Sequence, residues 1–169
     1  MAVQNSALQG TGASPLFLRE AEIRRGIELL YFGYSHLTRS IDEHLATQGL
    51  GRAHHRALYF IARQPDLNVS ELLRLLAITK QSLGRVLNDL TDRKLVESRP
   101  GATDRRQKLL RLTAAGDTLE AELFDRLSKK MSAAYGKAGQ AAVTGFWQVL
   151  EGLIPLGELD RVLRLQRDR

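Results

Sequence analysis

The sequence predicts a mostly α-helical fold with one small β-hairpin. Two observations carry that prediction. Apolar residues recur at spacings of three and four over most of the chain, including long stretches near both ends, which is the period of a buried helix face. Only Leu95–Ser98 and Lys108–Leu112 read as short strands, and a turn-rich loop separates them.

Charge supplies a third observation. The 169 residues carry a formal net charge of +6. Between Lys80 and Arg111 lie nine Lys or Arg against four Asp or Glu, nearly the whole excess. A positive field concentrated on one module points to a polyanionic partner. A hydrophobic fraction of 43% fits an ordinary globular chain. No apolar run approaches the roughly 18 residues of a membrane span, so no membrane partner is expected. The chain has no cysteine, which excludes disulfides, thiolate metal sites and thiol switches and fits a cytoplasmic protein.

In chain order, residues 1–16 lack the basic start and apolar core of a signal peptide and read as a disordered tail. Residues 17–49 read as one long helix, with Ile23, Ile27, Leu30, Tyr34, Leu37, Ile41 and Leu45 along a single stripe. About thirty helical residues span about 45 Å, more than a small domain needs. This helix is therefore expected to pack against another chain. Arg52–Arg63 form a second helix stopped by Pro65. Asn68 caps a third, and Glu71 completes a capping box with it.

The fourth helix begins after Thr79, whose hydroxyl can cap it. Leu83, Val86, Leu87 and Leu90 make its apolar face, and Gln81, Arg85, Asn88 and Asp92 fall opposite. Two short helices joined by a tight turn make a helix-turn-helix. The leading end carries Lys80, Gln81, Ser82 and Arg85, while its acids, Asp89 and Asp92, come later. Gln and Arg suit the edges of adenine and guanine, and Ser or Lys suit phosphate.

The hairpin that follows reads as a wing. Its loop carries Arg99, Arg105 and Arg106, and an arginine tip fits the narrow, negative minor groove. Residues 50–113 thus form a winged helix-turn-helix lobe. Thr113 caps the helices of residues 114–169, which Gly136, Gly139, Pro155 and Gly157 are expected to divide. Phe146, Trp147, Leu150 and Leu153 are too apolar to sit exposed. Together with residues 17–49 they are expected to build a homodimer interface.

From about Leu50 to Gly116 the sequence resembles the MarR family of bacterial transcriptional regulators. The resemblance rests on Val69-Ser70-Glu71-Leu72, on Ile78-Thr79-Lys80-Gln81-Ser82-Leu83, and on Asp104-Arg105-Arg106. It closes on Leu112-Thr113-Ala114-Ala115-Gly116. It implies a homodimer whose two lobes read a near-palindromic operator in double-stranded DNA, usually as a repressor. It places Lys80, Gln81, Ser82 and Arg85 on the reading helix. Arg106 becomes the minor-groove arginine, with Asp104 fixing its guanidinium and Arg105 nearer the phosphates. Such regulators often release DNA on binding a small aromatic or anionic effector. Tyr31, Tyr34, Thr38, His55 and Tyr59 are the candidate lining here. Gly84 departs from a good helix former at that position.

No phosphate-binding loop, metalloprotease helix or nucleophile elbow occurs. The spacing of His36, His44, His54 and His55 suits no shared metal ion, so neither a cofactor nor catalysis is expected. Three other readings stay open: a dimeric winged-helix adaptor that binds protein, a regulator without a small-molecule effector, and an RNA-binding module.

Overall fold

The computed structural model describes residues 14–102 and 104–167. The chain divides into two compact units, residues 1–36 and 37–169, and each is taken by itself. Of the tail expected over residues 1–16, residues 1–13 lie outside the described residues. Pro15–Leu18 form a single 3-10 turn, N-capped by Ser14. Helix α1, Glu20–Ala46, then runs through the first unit and into the second. Within the first unit its apolar stripe is uncovered: Ile23, Ile27, Leu30 and Tyr34 stay 42–49% exposed.

The second unit opens on the last turns of α1, where Ile41 and Leu45 are fully buried. Helix α2 (Arg52–Arg63), strand β1 (Leu67–Asn68), helix α3 (Val69–Leu76) and helix α4 (Lys80–Asp92) follow. Strands β2 (Val96–Pro100) and β3 (Lys108–Leu112) form the hairpin. Helices α5 (Ala114–Ala138), α6 (Gln140–Gly152) and α7 (Leu156–Arg167) complete the chain. The sheet is antiparallel in the order β1-β3-β2.

Helix α1 covers Glu20–Ala46 of the expected 17–49, and three further boundaries differ from expectation. Strand β1 was not foreseen, since two residues show no periodicity. Strand β2 starts one residue late and runs two residues further, because Arg99 pairs with Leu109 and Pro100 with Lys108. Arg99 therefore belongs to the strand and not to the tip. Helix α5 passes straight through Gly136, whose exposed backbone meets no neighbour. One such glycine weakens a helix by about 1 kcal/mol without breaking it. Gly139, at φ +80°, ends α5, and Pro155 separates α6 from α7.

The core packs Leu58, Ile61, Leu72, Leu76, Leu83, Leu90, Leu110 and Leu123 against one another. Burying each such side chain contributes about 1.5–3 kcal/mol. A clasp then joins the hairpin to α5. The Thr113 hydroxyl donates to the Lys94 carbonyl at 2.6 Å and accepts from the Gly116 N–H at 3.1 Å. A Cβ on Gly116 would lie 2.0 Å from the Leu95 carbonyl oxygen, so only glycine lets α5 start there. The Leu-Thr-x-x-Gly pattern is therefore a packing device.

Candidate nucleic-acid interface

Helix α4 is built to stand still. Thr79 caps it, accepting from the Ser82 N–H at 3.1 Å. The Thr79 hydroxyl in turn donates to Ser82 Oγ at 2.9 Å, which leaves the Ser82 proton available to an acceptor outside the helix. Leu83, Val86 and Leu90 are buried, and Leu87 is half-buried. Lys80, Gln81, Arg85, Asn88 and Asp92 are exposed on the other side, as the spacing predicts. Gly84 lies among them, and a Cβ there would meet open space.

Two polar ties fix the helix further along. His54 Nδ1 accepts from the Gly51 N–H at 3.1 Å, and its Nε2 lies 3.1 Å from the Asp89 carboxylate. The first bond needs a lone pair on Nδ1, which leaves Nε2 to donate to Asp89. At the end of α4, Arg93 donates to the Gln48 carbonyl at 2.7 Å. The acids late in this helix thus include one with a structural partner.

The wing tip is a short turn. The Gly101 N–H donates to the Gln107 carbonyl at 2.9 Å, and the Gln107 N–H to the Asp104 carbonyl at 3.0 Å. A Cβ on Gly101 would lie 2.7 Å from the Asp104 oxygen, so the tip closes on glycine alone. Arg105 and Arg106 are both exposed. Asp104 corrects an expectation. Among the described residues its carboxylate accepts from the Arg106 backbone N–H at 2.9 Å, and not from the guanidinium. An Asp two residues upstream commonly makes this local turn. Any hold it has on Arg106 runs through the main chain.

Asp66 is the residue that reading the sequence missed. Its Oδ1 accepts from Arg99 Nε at 3.0 Å and Arg111 Nε at 2.8 Å. Its Oδ2 accepts from Arg99 Nη2 at 2.6 Å and Arg111 Nη2 at 2.8 Å. Hydrogen bonding from Arg111, and then from Arg99, holds its carboxyl below the usual carboxylate range. A long-range clamp of this kind leaves no spacing signal in a sequence.

The expected effector residues are divided between the units. Tyr31 and Tyr34 belong to the first and are exposed. Thr38 and His55 are buried in the second, and Tyr59 is half-buried. The His55 and Tyr59 rings lie 6.4 Å apart, tilted by 52°. Among the described residues, His55 Nε2 is buried with no hydrogen-bond partner. Burial above all holds its pKa below the ordinary value, with Asp42 pulling it up and Arg56 pushing it down. A cleft of about 480 Å³ lies elsewhere, lined by Ser40, Glu122, Asp125, Arg126, Lys129 and Lys130. None of the five expected residues borders it.

Comparison with known proteins fits this geometry. A model of the MarR family matches residues 48–107. The HTH-type transcriptional regulator PetP of Rhodobacter capsulatus is 48% identical over 143 residues, covering 85% of this chain and 86% of PetP. A mutant of MarR from E. coli complexed with operator DNA superposes with a TM-score of 0.63 at 22% identity. It covers 84% of this chain and 100% of the other. PcaV from Streptomyces coelicolor, in complex with its natural ligand, gives 0.61 at 16% identity, with 85% and 96% covered. At those identities the two structures speak for the fold alone. With the family model and PetP beside them, the chain belongs to the MarR family of transcriptional regulators.

Proposed function

We propose that the chain acts as a homodimeric repressor, each winged lobe reading one half of a near-palindromic operator. The observation that carries this is the exposed face of α4, where Lys80, Gln81, Ser82, Arg85 and Asn88 stand clear of a buried leucine side. Gln81 and Arg85 carry base discrimination, while Lys80 and Ser82 hold the phosphates. Arg106 enters the minor groove, with Arg105 beside the backbone. Retention of this basic face sets the reading apart from a protein-binding adaptor.

A second copy of the chain covers the apolar residues that one copy leaves exposed. These include Ile23, Ile27 and Leu30 on α1, and Phe146, Trp147 and Leu153 near the C-terminal end. Release of DNA by a small aromatic or anionic compound is the regulatory part of the proposal. Its support is the buried Nε2 of His55 beside Tyr59, which no described residue pairs with.

Duplexes selected from a random-sequence pool should share an inverted repeat. Affinity for that repeat should exceed affinity for unrelated duplex and for single strands, and should fall steeply with salt. Equal binding to all three would favour a nonspecific role, and binding to none would favour the adaptor.

A further inference from the structure

We propose that Asp66 is the positioning residue of the wing, setting where Arg105 and Arg106 meet DNA and hence how well operator is told from random sequence. This rests on the DNA-reading function proposed above. Three observations support it.

The first is the clamp itself. Arg99 and Arg111 stand diagonally across the β2–β3 ladder, since Arg99 pairs with Leu109 and Arg111 with Glu97. Residues so related share a face of the sheet. One carboxylate receives a two-pronged contact from each guanidinium, all four bonds between 2.6 and 3.0 Å. Without that carboxylate two like charges would face each other at the root of the wing.

The second is where Asp66 comes from. It lies outside the hairpin, in the turn between α2 and β1. Its own N–H donates to the Leu110 carbonyl at 3.0 Å, so it is fastened to the middle of β3. The clamp therefore ties the outer strand β2 across β3 to the body of the lobe. The tip begins at Gly101, two residues beyond Arg99, so a change of tilt at the root displaces the tip directly.

The third is backbone cost. The Leu67 N–H donates to the Gln64 carbonyl at 3.2 Å, closing a turn with Pro65 second and Asp66 third. Asp66 sits there at φ +66°, a conformation glycine enters freely and other residues rarely. An observed outlier of this kind is a pointer to function. Glycine would suit the turn better and could not hold the arginines.

Asp66→Asn and Asp66→Gly both tolerate the positive φ, so both keep the turn; Gly removes the clamp outright, and Asn removes its charge and one of its two accepting oxygens. Each would be compared with the wild-type chain on a duplex the wild type has selected and on an unrelated duplex. Thermal unfolding would be followed in parallel. Simple charge counting predicts tighter binding to both duplexes, because a negative charge is lost and two arginines are released. Positioning predicts that selected-duplex affinity falls about tenfold, while random-duplex affinity holds or rises and the melting temperature stays near wild type. Unchanged or increased affinity for the selected duplex would overturn the proposal. Loss of folding in both variants would overturn it too, since the clamp would then support the core and not the aim of the wing. If the wild type itself preferred no duplex, the DNA-reading function would fail before the role of Asp66 arose.

Discussion

Helix α4 and the wing tip each present two exposed cations, Lys80 with Arg85 and Arg105 with Arg106, yet they are held in different ways. The helix is placed by apolar packing, with Leu83 at 1% and Leu90 at 0% exposure, and is capped at Thr79. The wing's apolar anchors, Val96 on β2 and Leu110 on β3, lie no further out than the Ser98–Leu110 pair, and the other four residues of β2 are exposed. Its shape comes from polar contacts, Asp66 at the root and Asp104 at the tip. Precision on the helix is thus a matter of core stability, whereas on the wing it depends on particular hydrogen bonds.

The sharpest way to break that contrast is in the core. Leu90→Ala should destabilise the fold by about 2–5 kcal/mol, because a fully buried leucine leaves a cavity. Arg106→Ala should leave stability unchanged. Denaturant titration of both variants would check the pair. A soft response at Leu90 would mean that packing does not place the helix.

On DNA the weights reverse. Arg106→Ala should lower operator affinity by roughly 1–3 kcal/mol. Asp104→Ala should weaken binding as well, by freeing the turn that presents Arg106. Asp104→Asn keeps an oxygen that can accept from the Arg106 N–H, so it should bind about as well as wild type. Fluorescence anisotropy with a labelled operator would separate these variants. Marked weakening by Asn alone would point to contact with the guanidinium after all.

Acidity should also part the two regions. His55 sits on α2, the helix that also ties to α4 through His54, and its pKa is lowered mainly by burial. A histidine held neutral on folding binds its proton on unfolding. Its stabilising effect is complete above the ordinary pKa of about 6.5 and is lost as pH falls below it. The Asp66 carboxyl is lowered as well, by Arg111 first. Its contribution, small at a site open to solvent, therefore persists until pH falls below the ordinary carboxylate value, about 3.9, and on through its lowered one. Stability measured between about pH 7 and 5 should decline, and His55→Gln should flatten that decline. An unaltered slope in the variant would contradict the assignment.

The smallest effect is expected at Gly84, where a methyl meets nothing within the chain. Gly84→Ala should stabilise the helix by about 1 kcal/mol. If the backbone approaches DNA at that point, the same change should cost operator affinity. A gain in both stability and affinity would deny the close approach.

Much of this lobe was legible in the sequence. The period of Leu83, Val86 and Leu90 and the cap at Thr79 located α4 to the residue at its start, because both signals are local. The capping box of Asn68 and Glu71 is present for the same reason, with the Glu71 N–H donating to Asn68 at 2.9 Å. What escaped was long-range. Strand β1 exists only because Leu67 and Asn68 meet Leu110 and Leu109, and Asp66 matters only because Arg99 and Arg111 reach it across the sheet. The sequence offers Asp104 as a partner for the Arg106 side chain, but a carboxylate so near finds the main-chain N–H first. Gly136 looks like a break in the sequence, but a lone exposed glycine costs too little to end a long helix.

We place base reading on the outward face of α4, and affinities of Gln81→Ala and Arg85→Ala for a selected operator and for unrelated duplex, taken at one fixed salt concentration, test that role most directly. Each variant should lose about 1–3 kcal/mol on the operator and little on the unrelated duplex. Equal losses on the two duplexes would mean that these side chains touch only phosphates, and the face would be a basic surface without a reading role.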